Sequence, residues 1–309
     1  MLTPIPSILS TAEFSRLRFL LEFQETVPAG EAVLLRLRRD LLKAARGVLG
    51  RSERFNRLFN PPVAEDPLAR RRFQRPGPPF VILMPEPVPH RFEAGDVLPL
   101  PVVFWGQGRQ GIADFILIME AFGESGIHRG AGRFVLRAVE AEATGGHWLP
   151  DFWRPGQNPD RLAPPVHDAR WWLETSLPAE TPLCLRLRTP TRLMANNRPL
   201  FQATFARLFP FILRRVTSML YAHCGIEVTD EPQVLIARAA RVNELGNDLV
   251  WRDWRVLDGQ THRQELGGLV GALHLGGEEL EELRWILGLG TLMNFGKGAA
   301  FVAGSYSLT

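Results

Sequence analysis

The chain has 309 residues, 45% of them hydrophobic and 22% charged, which suits two folded domains rather than a disordered segment. No run of about 18 apolar residues occurs, and MLTPIPSILSTAEFSRLRFLLEF has no basic stretch ahead of an apolar one, so neither a membrane span nor a signal peptide is expected. Cys184 and Cys224 alone make neither a disulfide framework nor a four-cysteine zinc site, which points to a reducing cytoplasm.

Charge is unevenly placed. Lysine occurs only at Lys43 and Lys297, and the net charge is +3. Between Arg36 and Arg75, twelve basic residues face four acids, a local net of +8. Such a window is either a site for a polyanion or a solvated helix face followed by an arginine-rich loop.

Residues 17–24 read as a strand. From 31 to 49, Val33, Leu34, Leu37, Leu41, Leu42, Ala45 and Val48 recur at helical spacing, and Arg36, Arg39, Lys43 and Arg46 share the other face. Residues 56–79 read as a loop rich in proline and arginine. Strands fit 80–84 and 97–104, the latter marked as edge or irregular by Pro99 and Pro101. A helix over 108–123, a glycine loop and a strand over 133–142 complete a β-α-β-β-α-β order. After a connector at 145–182 the order returns: a strand at 183–189, a helix at 198–223 bent or broken at Pro210, strands near 234–242, 249–257 and 266–275, a helix at 278–288 and a last strand at 299–308. The fold class is α+β, two tandem ferredoxin-like (RRM-like, βαββαβ) domains at 1–144 and 183–309, the connector lying between them.

Gly296, Gly298 and Gly304 around Lys297 allow backbone amides to approach a phosphate, with the lysine as a point charge. The alternative is a purely structural turn. A P-loop does not fit, because five residues rather than four separate Gly290 from Gly296, and Gly298 follows the lysine. No grouping has zinc-ligand spacing and no G-x-S-x-G elbow is present, so neither a metal nor a cofactor is expected. Trp148, Trp153, Trp171 and Trp172 suit either base stacking or core packing.

The last 60 residues resemble the C-terminal domain of the CRISPR-associated pre-crRNA-processing endoribonucleases of the RAMP superfamily. The matching residues are Trp251, Arg263, Gln264, Gly267, Gly268, Gly271, Gly296, Lys297, Gly298, Phe301, Gly304 and Tyr306. Val302 departs from the pattern by standing where the family has a glycine, which puts the tight turn there in doubt. Upstream, Arg214 and Arg215 match the family's arginine pair on a long helix, and GIHRGAGRFVL matches a glycine-containing loop and strand.

The resemblance implies repeat RNA (pre-crRNA or crRNA) as the partner, with further CRISPR effector subunits beside it and no membrane. It also implies metal-independent cleavage to 2′,3′-cyclic phosphate and 5′-hydroxyl ends. A histidine near the first helix often supplies the base in this family, but here no histidine precedes His90. Lys43 is the substitute candidate, with Arg36 and Arg39 as charge stabilisers and His128 as the next candidate. Arg38, Arg46, Arg70, Arg71, Arg72, Arg263, Gly296, Lys297, Gly298 and Gly304 are the expected RNA contacts. A non-catalytic repeat-RNA-binding subunit is the alternative reading.

Overall fold

The computed structural model describes residues 5–28, 30–128, 130–178, 182–253 and 267–309. The chain divides into two compact units. One comprises Glu13–Glu65 and Arg75–His167, the other Met1–Ala12, Asp66–Gln74 and Asp168–Thr309.

In the first unit, strand β1 (Glu13–Phe23) alternates, with Leu17, Phe19, Leu21 and Phe23 buried and Arg16, Arg18, Leu20 and Glu22 on the other face. It lies between β3 (Val97–Trp105) and β4 (Phe134–Glu142), antiparallel to both. With β2 (Phe80–Ile82) and β5 (Trp148–Trp153) the order is β2-β3-β1-β4-β5, the ferredoxin-like order with one added strand. Helix α1 (Leu37–Leu49) buries Leu37, Leu41, Ala44 and Ala45 and packs against α2 (Ile112–Ser125).

Pro99 and Pro101 do not mark an edge strand, since β3 has neighbours on both sides. The Pro101 carbonyl accepts from Leu83 at 2.9 Å, on the β2 side, and the N and O of one strand residue face the same neighbour. The absent N–H groups therefore face the side where β2's pairing, which reaches only Val102–Phe104, has run out.

The expected loop at 56–79 instead holds helical turns at Glu53–Phe59 and Pro67–Arg72. The first is capped by Ser52, whose Oγ accepts from the Phe55 amide at 3.3 Å. The connector also carries more order than its composition suggests, with β5 and a helix over Ala169–Ser176 that Asp168 caps at 2.7 Å.

The second unit repeats the plan: β6 (Leu183–Thr191), α3 (Phe205–Met219), β7 (Asn243–Asn247), β8 (Val250–Arg252), β9 (Gly268–Gly276), α5 (Arg284–Thr291) and β10 (Tyr306–Leu308). Its sheet order is β7-β9-β6-β10, with β8 also on β9. The strand expected near 234–242 is a helix, α4 (Pro232–Ala239), started by a proline whose missing N–H costs nothing in a first turn. Helix α3 begins at Phe205 rather than 198 and runs through Pro210 without a break. The helix expected at 278–288 is two pieces, Glu278–Glu281 and α5, and the last strand is confined to Tyr306–Leu308. Of the strand expected at 249–257, residues 254–257 lie outside the described residues.

Candidate functional site

The first unit holds the four catalytic candidates. Lys43 is exposed on α1, and its side chain makes no hydrogen bond or ion pair with a described residue. Arg36 stands at the head of the same helix, half-buried, and Arg38, Arg39 and Arg46 are exposed along it. The Arg39 guanidinium is engaged by its neighbour Asp40 through Nε and Nη2 at 3.0 and 3.1 Å, and Arg46 lies 5.9 Å from the Phe55 ring centroid. Not every cation of the basic window is available, since Arg54 is forked onto the buried Asp114 of α2.

His128 sits on a separate element, the loop between α2 and β4, half-buried. Its amide donates to the Ala131 carbonyl at 3.1 Å and its carbonyl accepts from the Ala131 amide at 2.9 Å. The strand that follows is tied to the end of β1: the Gln24 amide donates to the Arg133 carbonyl at 2.9 Å, and the Arg133 amide donates to Glu25 at 3.0 Å. That donated bond holds the Glu25 carboxyl below the usual carboxylate range. The structure thus places the candidates in one unit, on one helix and one loop.

The glycine loop belongs to the second unit. Gly296, Gly298 and Gly304 all have positive φ, at 88°, 87° and 70°. The Lys297 amide is not presented to solvent, because it donates to the Arg192 carbonyl at 3.0 Å. What the loop turns outward is the exposed Lys297 side chain. Val302, where the sequence departs from the family pattern, keeps the left-handed turn at φ 68° and is fully buried, its carbonyl accepting from Thr189 Oγ1 at 3.0 Å. The turn survives the substitution at a backbone cost on the order of 1–2 kcal/mol, comparable to the gain from burying a valine side chain.

The arginine pair on α3 divides its labour. Arg214 is exposed. Arg215 is buried, and its Nε donates to the Met293 carbonyl at 3.2 Å, just before the glycine loop. Burial lowers its pKa to about 10. Arg215 is therefore a structural tie to the loop. Tyr306 likewise serves the fold, its hydroxyl donating to the Leu287 carbonyl at 2.6 Å, and burial pushes its pKa up.

Arg70 is exposed on the helix Pro67–Arg72, while Arg71 and Arg72 belong to the same helix. This segment packs within the second unit: Phe73 stacks on Tyr221 at 4.2 Å and the Gln74 amide donates to Ser218 Oγ at 3.2 Å. A basic window continuous in sequence is thus divided between the two units, which composition could not reveal. Arg263 and Gln264 lie outside the described residues. Among the described residues no three of His, Cys, Asp and Glu gather as metal ligands, and no helix is long and apolar enough to cross a membrane.

Two ferredoxin-like units, the second closed by a glycine loop before its last strand, define the class of protein. Within it, residues 185–306 match the family model of the CRISPR-associated endoribonuclease Cas6, and residues 42–165 match a family described as an N-terminal domain, AF_1859_N. The likeness read from the sequence to the pre-crRNA-processing family is thereby borne out, most directly over the second unit. Thermus thermophilus Cas6 superposes with a TM-score of 0.53 at 15% identity, covering 96% of this chain and 99% of its own. A Cas6 product complex gives 0.55 at 14% identity, covering 96% and 100%. A partial Cas6-RT-Cas1–Cas2 complex gives 0.58 at 14% identity and 96% coverage, although this chain spans only 46% of that one. At these identities the likeness is one of fold. No curated protein matches the sequence.

Proposed function

We propose that this chain is an endoribonuclease that binds CRISPR repeat RNA and cuts the precursor without a metal ion. The observation that carries the reading is the glycine loop. In the unit that matches Cas6, three glycines hold positive φ and turn a lysine outward, an arrangement suited to a phosphate. In the reaction, a ribose 2′-oxygen attacks the adjacent phosphorus and the P–O5′ bond breaks. The 2′-hydroxyl proton goes to a base, and the departing 5′-oxygen takes up a proton. The products are a 2′,3′-cyclic phosphate and a 5′-hydroxyl. Lys43 is the first candidate for proton transfer and His128 the second. Arg36 and Arg39 stabilise phosphorane charge rather than abstract a proton, since a guanidinium stays protonated. Repeat RNA and other CRISPR subunits are the partners this reading supplies.

Incubation with labelled repeat RNA in EDTA tests it directly. Cleavage should persist, and end mapping should give a cyclic phosphate upstream and a 5′-hydroxyl downstream. A 5′-phosphate, or loss of cleavage on chelation, refutes the mechanism. One feature favours a second reading, a non-catalytic RNA-binding subunit: the first 89 residues hold no histidine. Stable binding with no cleavage of any repeat RNA would establish that reading instead.

The arginine segment supplies a separate expectation. Each phosphate neutralised on a single strand adds about 0.7 to the slope of log affinity against log salt. Reversing the charge of Arg70, Arg71 and Arg72 together should weaken RNA binding and flatten that slope by about 2. An unchanged slope in a salt titration means the helix Pro67–Arg72 contacts no RNA.

A further inference from the structure

The second unit carries a surface aromatic pair, Phe201 exposed and Trp251 half-buried, that no step above uses. Phe201, between β6 and α3, is 56% exposed, and its ring meets Trp251 of β8 at 4.7 Å between centroids and 63° between planes. The two rings border an open cleft of about 560 Å³ lined also by Gln202, Arg207, Leu249 and Val250. Val250 is itself 54% exposed. Trp251 is held from one side by the backbone of Gly267, where a Cβ would fall 2.8 Å from the indole Cζ2. Arg207, on the first turns of α3, is exposed, and its guanidinium makes no ion pair or hydrogen bond with a described residue.

We infer that this cleft is a binding site for one unpaired nucleotide of a bound RNA, its base stacked on Phe201 against Trp251 and its phosphate on Arg207. The inference rests on the RNA-binding reading and adds a subsite to it. Stacking alone fits any flat apolar group. The cation beside the rings makes the occupant an aromatic group attached to an anion, which is what each nucleotide of a single strand presents. Phe201 stays accessible beside this T-shaped contact, and an indole packed against Gly267 next to it lowers the ordering cost of a guest. Because every base has a flat face, the site should tolerate any base and discriminate unpaired from paired nucleotides.

The test uses the full chain and fluorescein-labelled octaadenylate, with anisotropy as the readout. Phe201→Ala should weaken binding about tenfold or more, the range for loss of one base–aromatic stack, and Phe201→Tyr should restore it. Arg207→Gln should weaken binding and lower the salt slope by about 0.7. An abasic octamer should bind the parent and Phe201→Ala equally. Equal octaadenylate affinity for the parent and Phe201→Ala overturns the proposal. So does a Phe201→Ala variant that keeps its RNA affinity but loses a protein partner, which would make the cleft a protein-docking surface. The two readings fail separately. A parent that cuts repeat RNA with an idle Phe201 removes this site alone, whereas a parent that grips the octamer through Phe201 but ignores repeat RNA removes the proposed function and leaves the site.

Discussion

Lys43→Ala is expected to slow single-turnover cleavage of repeat RNA about 100-fold while leaving RNA affinity almost unchanged. The magnitude is the ordinary scale for losing a proton-transfer group, and the selectivity follows from position. Lys43 is exposed on α1 and its side chain makes no hydrogen bond or ion pair with a described residue, so its truncation leaves the fold intact and opens no cavity. A group that acts only on the scissile bond affects the rate without affecting ground-state binding. Lys297→Ala should do the reverse. That ammonium stands on a loop whose main chain is pinned by Arg192, so it offers a fixed charge to ground-state phosphate. Its loss should weaken binding, with cleavage at saturating enzyme largely preserved. Measuring both constants for both variants gives a two-by-two pattern that a general loss of folding cannot imitate. Normal cleavage by Lys43→Ala together with a slow His128→Ala would move the proton-transfer role to the loop between α2 and β4.

The legible and illegible parts of the fold divide along physical lines. Local periodicity carried β1, where Leu17, Phe19, Leu21 and Phe23 alternate with Arg16, Arg18, Leu20 and Glu22, and it carried α1, whose buried Leu37, Leu41 and Ala45 recur at helical spacing. It failed at α4. There Val234 and Ile236 suggest a strand, but Pro232 and the alanines favour a helix, and the helix leaves Val234 44% exposed. The start of α3 was out of reach for another reason. The Phe205 amide donates to the Glu244 carboxylate at 2.7 Å, a cap supplied from 39 residues away. Residues 198–204, freed from the helix, place Phe201 on the surface, and an aromatic just ahead of a helix reads in sequence as core. The glycines and Lys297 of the candidate site were visible as a motif. Their division into outward charge and inward amide was not, because it depends on Arg192, more than one hundred residues earlier.

Gly304→Ala should destabilise the second unit by about 3 kcal/mol or more, read as a fall in its urea midpoint, whereas Gly298→Ala should cost only about 1 kcal/mol. Both residues have positive φ, at 70° and 87°, so the backbone penalty for a side chain is similar at the two sites. The difference is room. A Cβ on Gly304 would run into the Phe295 carbonyl oxygen, and the Phe295 main chain cannot yield easily, because its amide donates back to the Gly304 carbonyl at 3.2 Å. A Cβ on Gly298 meets nothing closer than the Ala303 Cβ at 3.3 Å. Val302 makes the same point within the native chain: at φ 68° it carries a branched side chain, because there the Cβ enters buried apolar space. The pair of variants therefore separates the two roles of the loop. Gly304 closes the fold, and its replacement should lower stability before it touches RNA. Gly298 lies beside the exposed Lys297, and its replacement should weaken RNA binding in a protein that remains folded. Equal stability of Gly304→Ala and the parent would mean that the backbone around Phe295 relaxes freely, and the close approach would then have no structural role.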